Sequence, residues 1–242
     1  MRNPRRIKKF DYEEIPKGYY DIVHNRKKGI QSFWHHNKFR SIVEAFCFEK
    51  KDLNLDIGCG PGTFLGQYSR SGNKIGIDSS INQVNYANEY YKDISNVYFT
   101  TKQILNLDIQ TDVVTLIEFI EHISLESFRK LLLDVNRIAV PQHFVIITTP
   151  NYFSLWPILE VVMKFIPSGL NYDQQHITRF TKKKLNVFLE VNGYEVLKLQ
   201  GIQGFGSFFA PLSWSLAWKI VKFEEKFVKY FGFQILCVAQ KK

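Results

Sequence analysis

A glycine-rich segment, Asp56-Ile57-Gly58-Cys59-Gly60-Pro61-Gly62, follows a short apolar run and precedes an amphipathic stretch. Glycine lets the backbone turn sharply, and it lets a ligand approach without interference from a Cβ atom. The N-terminus of a following helix adds exposed N–H groups and the positive end of its dipole. In this strand–turn–helix context the segment predicts a cofactor-binding loop. The alternative is a tight turn that binds nothing.

An acidic residue, Asp78, lies at the end of the next apolar run. The glycine spacing of the loop differs from the Gly-x-Gly-x-x-Gly pattern of dinucleotide-binding proteins. Asp78 nevertheless lies about 20 residues beyond the loop, where α/β proteins place a carboxylate that binds a ribose. A carboxylate there can accept hydrogen bonds from both ribose hydroxyls. The loop and Asp78 together favour a cofactor that contains a ribose.

A second group of reactive side chains, Glu118, Glu121 and His122, follows an apolar, β-branched run, and His176 comes later in the chain. The carboxyl ends of strands border the ligand crevice of open α/β sheets, so we expect Glu118 to line it. Carboxylates with imidazole can bind a divalent metal, or they can position and deprotonate a nucleophile. Alternatively, Glu118 contacts a cofactor while Glu121 and His122 begin a helix and make ordinary hydrogen bonds.

Short apolar runs alternate with amphipathic stretches from residue 53 onward, which predicts a parallel sheet with helices on both faces. The predicted strands are 53–57, 74–77, 97–100, 113–117, 144–148, 194–199 and 233–238. The predicted helices are 63–71, 81–92, 125–140 and 181–191. We therefore predict the α/β fold class, with a doubly wound, seven-stranded, mostly parallel sheet.

Residues 1–50 precede the first strand and predict a helical N-terminal extension, whereas residues 51–242 predict the main domain. Trp34-His35-His36 in this extension could reach the site as part of a lid. Packing between helices is the alternative for these three residues. Two aromatic-rich insertions, 151–180 and 202–232, interrupt the main domain and are expected to form a cap over an acceptor.

Composition and charge limit the cellular setting. The three cysteines are scattered and include no Cys-x-x-Cys pair, which argues for a reducing compartment, taken as the cytoplasm, and against a structural zinc site. The basic start leads into residues 11–16 and not into an apolar run, so no signal peptide is predicted. The net charge of +9 suits nucleic acid, an anionic membrane, an anionic substrate or simply a solvated surface.

These motifs resemble a known family. LDIGCGPG followed by GIDSS is similar to the first two motifs of class I S-adenosylmethionine (SAM)-dependent methyltransferases. VTLIEFIEHI, TTPN and HITRFTKKKLNVFLEVNGYEV resemble later parts of that family. The resemblance is strongest to the branch that contains ubiquinone-biosynthesis O-methyltransferases and many glycan- and lipid-cluster methyltransferases. It implies SAM as the cofactor and a Rossmann-like methyltransferase fold whose last strand is antiparallel.

The resemblance also implies roles for individual residues. Asp56, Gly58 and Gly60 would shape the methionine pocket, Asp78 would hold the ribose, and Ser79 would lie beside the adenine. The predicted cofactor-binding residues are Asp56, Gly58, Cys59, Gly60, Pro61, Asp78, Ser79 and Glu118. One departure concerns residues 100–103, Thr-Thr-Lys-Gln, where the family often has an acidic residue for the adenine amine.

A metal site is implied by the same resemblance. A Glu-x-x-Glu-His group like this one is associated with a magnesium-type ion in the ubiquinone O-methyltransferases and the small-RNA 2′-O-methyltransferases. The implied cofactor is Mg²⁺, with Glu118, Glu121, His122 and His176 as its ligands. His122 and His176 are also the predicted catalytic bases for an acceptor hydroxyl. A metal would do the same work by lowering the pKa of the acceptor.

The predicted reaction is O-methylation of a small or lipid-linked acceptor, such as a polyprenyl phenol or a glycan intermediate. Aromatics beside lysines in the insertions suit an apolar cap, or a helix that contacts an anionic membrane from the cytoplasmic face. One rival is an RNA 2′-O-methyltransferase, but nucleic acid is disfavoured as a partner because no RNA-binding module is recognisable. A second rival is a SAM-binding scaffold protein without catalysis, which the intact loop and Asp78 disfavour. The oligomeric state is left open.

Overall fold

The computed structural model describes residues 12–164 and 176–242. The basic start of the chain therefore lies outside the described residues, as does the part of the first insertion at residues 165–175. The helices are α1 (Tyr19–Asn25), α2 (Gly29–Ala45), α3 (Thr63–Gln67), α4 (Ile81–Tyr90), α5 (Leu125–Ile138), α6 (Trp156–Lys164), α7 (Lys182–Val191) and α8 (Trp214–Phe231). The strands are β1 (Leu53–Ile57), β2 (Asn73–Ile77), β3 (Val97–Thr100), β4 (Thr111–Ile117), β5 (Ala139–Pro150), β6 (Tyr194–Ile202) and β7 (Gln234–Lys241).

The seven strands form one sheet in the order β3-β2-β1-β4-β5-β7-β6. Strands β1 to β5 pair in parallel, and β7 pairs antiparallel with both β5 and β6. The predicted fold is confirmed, including the antiparallel last strand. The order reverses at β1, with β2 on one side and β4 on the other, and such a switch point opens a crevice at the carboxyl ends of the strands.

Helices cover both faces of the sheet, because alternate strand residues point to opposite sides. On one face, Val145 and Ile147 of β5 join a buried cluster with residues of α5 and α7. On the other face, Ile146 joins a second cluster with residues of α2, α3 and α4. Burial of each large apolar side chain contributes roughly 1.5–3 kcal/mol, so both clusters stabilise the packing of the helices on the sheet.

Several elements differ in length from their predictions, and β5 differs most, because it extends over Ala139–Pro150 instead of 144–148. Helix α5 ends at Ile138 and β5 begins at Ala139, whereas the helix was predicted to run to residue 140. Pro141 explains the early end, because the residue before a proline is disfavoured in the α conformation. Helix α3 ends at Gln67 instead of residue 71, and the Ser69 N–H donates to the carbonyl of Phe64 at its end. The side chains of Ser124 and Thr181 cap α5 and α7 by accepting hydrogen bonds from the backbone N–H groups of Ser127 and Lys184.

The N-terminal extension contains α1 and α2, and the second insertion contains a 3₁₀ turn, Phe205–Phe209, followed by α8. Phe33 of α2 is fully buried against Ala217 and Val221 of α8, so these two elements pack on each other. Within the described ranges, no helix combines the length and the hydropathy that crossing a membrane requires.

Candidate cofactor and acceptor site

The glycine loop connects β1 to α3 through three residues in the left-handed conformation. Gly58, Gly60 and Gly62 have φ angles of 78°, 52° and 79°. A Cβ atom on Gly58 would overlap the Phe119 ring, and one on Gly62 would overlap the Phe99 ring. At Gly60, by contrast, an added Cβ would meet nothing within 4 Å. The loop is therefore tightly packed at both ends and open at its centre, where a ligand can approach the backbone.

Asp78 follows β2 and is bonded directly to the loop. Its Oδ2 accepts from the Gly60 N–H at 2.8 Å, and its Oδ1 accepts from the Ser80 N–H at 2.9 Å. Burial raises the pKa of Asp78, and these two hydrogen bonds oppose that rise. Each carboxylate oxygen can still accept a further hydrogen bond. Ser79, predicted to lie beside an adenine, is exposed next to it.

Asp56 and Cys59 lie beneath the loop. The Thr115 hydroxyl donates to Asp56 Oδ1 at 2.7 Å, which connects the ends of β1 and β4. Burial is the main cause that raises the pKa of Asp56, to about 7. The Cys59 side chain is part of the core cluster around Phe99, so its backbone is what can face a ligand. Pro61 is also buried.

Glu118 directly follows β4. Its φ of 52° is an uncommon conformation for a residue with a side chain. Its carboxylate accepts from Gln234 Nε2 at 2.6 Å and from Thr148 Oγ1 at 3.2 Å. Its own N–H donates to the Thr148 carbonyl. These bonds hold the turn that places Phe119 against Gly58 of the loop. Gln234 was not predicted to take part, because it lies inside an ordinary strand pattern.

Glu121, His122 and His176 lie together, with one ligand atom from each within 4.8 Å of the others. The backbone carbonyl of Glu121 accepts from the N–H groups of Ile177 and Thr178, which brings His176 to this position. Burial, followed by the nearby Glu118 charge, raises the pKa of Glu121 well above its usual range. The structure thus brings together three of the four predicted metal ligands. The Glu118 carboxylate is outside this group.

Two further partners of His176, Glu160 and Tyr152, were missed by the sequence analysis. His176 Nδ1 lies 2.9 Å from Glu160 Oε1 and 3.0 Å from the Tyr152 hydroxyl. The Tyr152 hydroxyl also donates to Glu160 at 3.1 Å. Because a carboxylate only accepts, His176 Nδ1 carries a proton, and in the neutral ring Nε2 would then be the acceptor. Neither residue belongs to a recognisable motif, and both lie in or beside an insertion.

Lys38 of α2 is another residue that was not predicted to belong to the site. Its side chain is buried, and burial lowers its pKa. The charges of Glu118, Glu121 and Asp56 oppose this effect, so Lys38 is close enough to interact with carboxylates of both parts of the site. No sequence signal identifies it, because a lysine in an amphipathic helix is usually exposed.

The side chains of the Trp34-His35-His36 segment contact different parts of the protein. The His36 ring stacks on the His24 ring at 3.8 Å, and both contact the Tyr68 hydroxyl. These histidines follow the helix-packing alternative. Trp34 extends the other way, with its ring centroid 6.1 Å from that of Trp156. Of the three, Trp34 is therefore the residue that contacts the first insertion.

Comparisons with known proteins identify the family and support the fold. The family described as "Methyltransferase domain" matches residues 33–199, more than half of the chain. The structure resembles magnesium protoporphyrin IX methyltransferase from Synechocystis PCC 6803 with bound SAH, with a TM-score of 0.62 and 14% identity over 95% of this chain and 98% of that chain.

Two other solved structures show the same likeness. For a SAM-dependent methyltransferase from Archaeoglobus fulgidus the TM-score is 0.58, with 19% identity over 96% of this chain and 100% of that chain. For the N-methyltransferase NodS from Bradyrhizobium japonicum in complex with S-adenosyl-L-homocysteine it is 0.56, with 10% identity over 92% and 97% of the two chains. A search of curated proteins gave no significant match. At these identities the solved structures establish the fold alone.

Proposed function

Since the chain belongs to the methyltransferase-domain family, we propose that it transfers a methyl group from SAM to a hydroxyl of an apolar, small or lipid-linked acceptor. One observation carries the cofactor half of the proposal. The Asp78 carboxylate is hydrogen-bonded to Gly60 at 2.8 Å, at the point where the loop is open to a ligand. A carboxylate that could accept hydrogen bonds from a ribose therefore lies beside a sterically open backbone, at the switch point of the sheet.

The chain's own residues have distinct roles in holding SAM, which supplies an electrophilic methyl group on a sulfonium. Asp78 would accept the ribose hydroxyls with the lone pairs that its two backbone bonds leave available. The backbone at Gly60 would approach the ligand closely. Asp56 and Glu118 would supply negative charge near the cationic methionine part of SAM, and Lys38 would keep the combined charge of these carboxylates in balance.

His176 is the residue that we propose as the general base. Glu160 accepts the Nδ1 proton of His176, which leaves Nε2 to take the proton of an acceptor hydroxyl as the oxygen–methyl bond forms. The paired carboxylate stabilises the imidazolium that results. His122, whose ring centroid lies 5.4 Å from that of His176, is close enough to help position the hydroxyl.

A row of aromatic rings supports an apolar acceptor. Trp156 lies 6.4 Å from His176 between ring centroids, and Trp34 lies 6.1 Å from Trp156. Phe233 then stacks nearly parallel on Trp34 at 6.1 Å, and Phe205 contacts Phe233 at 5.2 Å. We call these four residues the aromatic row. It extends from the proposed base to the protein surface, and aromatic surfaces of this kind suit ring systems or hydrocarbon chains.

The extension is proposed to act as a fixed cover over this site. It contributes Lys38 beside the carboxylates and Trp34 in the aromatic row. The family match begins at residue 33, so it includes most of α2. This overlap supports treating α2 as part of the working methyltransferase.

A divalent metal at Glu121, His122 and His176 is the second candidate for the acceptor side. The three ligand atoms lie within 4.8 Å of one another, and the Glu160–His176 contact resembles the outer partner that metal-binding histidines commonly have. One carboxylate and two imidazoles suit a first-row transition metal better than Mg²⁺, which prefers oxygen ligands. If these three residues bind a metal, we therefore propose Mn²⁺ or Fe²⁺ in place of the Mg²⁺ that the family resemblance implies. In that case His176 Nε2 would hold the metal instead of acting as a base.

The test combines cofactor binding with product identification. Calorimetric titration with SAM should give one site, and SAM labelled in its methyl group should label a solvent-extractable compound in a cell extract. Binding without labelled product would favour the scaffold alternative, and label in RNA would favour the RNA methyltransferase. A failure to bind SAM would overturn the proposal. Full activity in excess chelator would exclude the metal and leave His176 as the base.

A further inference from the structure

Helix α8 is fixed to the protein along one face. Ala217 and Val221 are buried in the contact with Phe33 of α2. The Glu224 carboxylate accepts from the N–H groups of Phe205 and Gly206 at 2.9 Å each. At the other end, Lys182 Nζ donates to two carbonyls of the last turn. The orientation of α8 about its axis is therefore defined by contacts at its start, middle and end.

The flank of α8 next to this fixed face is apolar and largely exposed. Its side chains recur at the spacing of one helical face. We call this set the outer stripe: Leu216, Ile220, Phe223, Phe227, Tyr230 and Phe231. Phe223 is 78% exposed and Phe227 is 63% exposed. A contiguous exposed patch of large aromatic side chains normally marks an interaction surface.

Basic side chains border the outer stripe along one side. These exposed lysines are Lys219, Lys222, Lys226 and Lys229. The two acidic residues of the helix are already engaged, because Glu224 bonds to the 3₁₀ turn and Glu225 pairs with Arg40 at 3.1 Å. The start of α7, with its three consecutive lysines, adjoins the end of α8 through Lys182. The exposed surface around the stripe therefore carries a net positive charge.

We propose that α8 lies on an anionic lipid surface, with the outer stripe inserted among the acyl chains and the lysines at the headgroups. A helix with an aromatic face and a lysine border has the features of an interfacial membrane helix. Each lysine near an anionic leaflet adds about 1 kcal/mol of attraction, or about a fivefold gain in partitioning. The charge disfavours a second copy as the occupant, because a symmetric dimer through the stripe would bring like-charged lysine rows together.

The adjoining 3₁₀ turn extends the same surface. Phe208, Phe209 and Leu212 are exposed in and just after this turn, and Phe205 begins the aromatic row toward His176. Docking through α8 would therefore place the outer end of the aromatic row near the lipid surface. The docking itself does not depend on methyl transfer, and it is tested without turnover.

The test is sedimentation of the full-length protein with vesicles. Vesicles of equal parts phosphatidylcholine and phosphatidylglycerol should bind the protein at low salt, whereas vesicles of phosphatidylcholine alone should bind it at least tenfold more weakly. Phe223→Ser/Phe227→Ser should reduce binding at least tenfold, and Lys222→Gln/Lys226→Gln should reduce it by roughly 25-fold. Tyr98→Ser/Leu133→Ser is the matched control, because its side chains are 52% and 55% exposed on other elements.

All of these side chains are exposed, so the melting temperatures should stay close to that of the native sequence. The proposal is overturned if anionic vesicles do not bind the native sequence, or if the double phenylalanine variant binds as well as the control. It is also overturned if the native sequence is a dimer that Phe223→Ser/Phe227→Ser dissociates, since the stripe would then be a contact between copies. SAM titration of the same samples shows separately whether the proposed cofactor site is intact.

Discussion

The Asp21 carboxylate on α1 accepts a hydrogen bond of 2.8 Å from the hydroxyl of Thr63, the residue that begins α3 directly after the glycine loop. The same buried carboxylate accepts from Asn25, Tyr86 and Tyr91. These neutral donors come from three parts of the chain. Asp21 therefore fastens the N-terminal extension to the elements that position the cofactor loop.

We expect Asp21→Ala to lower the free energy of unfolding by about 3–5 kcal/mol, because several buried donors lose their acceptor and each costs about 1–3 kcal/mol. Urea denaturation measures the change. SAM affinity should fall as well, since Thr63 would no longer be held. The exposed Asp93 supplies the control, Asp93→Ala, which should change the free energy of unfolding by less than about 0.5 kcal/mol. An unchanged urea midpoint for Asp21→Ala would contradict the anchoring role.

The second prediction concerns Asp78. Asp78→Ala should weaken SAM binding by about 10- to 100-fold, because a hydrogen bond to a charged group contributes about 1.5–3 kcal/mol. Isothermal titration measures the affinity, and Asp78→Asn, which keeps one acceptor oxygen, should give an intermediate loss. Circular dichroism should show the same helix content as the native sequence. Native-like affinity in Asp78→Ala would mean that the carboxylate only closes the loop onto Gly60.

Much of the fold could be predicted from the sequence because each element is consistent with its surroundings. Leu53, Leu55 and Ile57 give the strand Leu53–Ile57 an apolar face, and its parallel pairing with β2 and β4 agrees with the alternation of strands and helices. The boundaries around Pro141 were harder to predict. The early part of β5 pairs with Thr111 across a shift in register, which local propensity does not reveal.

The candidate site could be predicted only where its residues carry a local signal or belong to a family motif. Asp56, Gly58 and Asp78 stand at strand ends, where topology and glycine chemistry give a local signal. Lys38, Glu160 and Gln234 lie on two helices and a strand that have no motif. Their roles depend on tertiary contacts, such as the 2.6 Å bond between Gln234 and Glu118, and no spacing rule encodes them.

A third prediction uses the raised pKa of Asp56, which is about 7 because of burial. Ionised Asp56 should attract the cationic part of SAM, so affinity should increase as the pH rises from 6 to 8. If only the ionised form binds well, the gain across this interval is about tenfold. Isothermal titration at several pH values measures it. Asp56→Asn keeps the acceptor for Thr115 and should make the affinity independent of pH, so a persistent dependence would assign the effect to another group.

A fourth prediction concerns stability in acid. Burial, together with the neighbouring His24, lowers the pKa of His36 to about 4, compared with 6.5 when unfolded. Because the unfolded chain binds a proton more tightly, this contribution to stability is complete above about pH 6.5 and is lost as the pH falls toward 4. The melting temperature should fall over that interval. The melting temperature of His36→Gln should fall less steeply between the same pH values. If it falls as steeply as that of the native sequence, His36 is not the titrating group.

The last prediction separates the proposed base from the cofactor site. His176→Ala should lower kcat for methyl transfer by about 10²- to 10⁴-fold, the usual contribution of a general base. The affinity for SAM should stay within about twofold, since His176 contacts Glu160 and Tyr152 and not the glycine loop. Added imidazole should restore part of the activity by taking the place of the missing ring.

Glu160→Gln should lower kcat less than His176→Ala does, because the amide still positions the imidazole ring but stabilises the imidazolium poorly. Glu195→Gln, on the exposed part of β6, is the control. Initial rates of label transfer, measured with SAM in excess, give the comparison. Activity of His176→Ala that depends on added Mn²⁺ and does not respond to imidazole would assign His176 to a metal instead of to proton transfer.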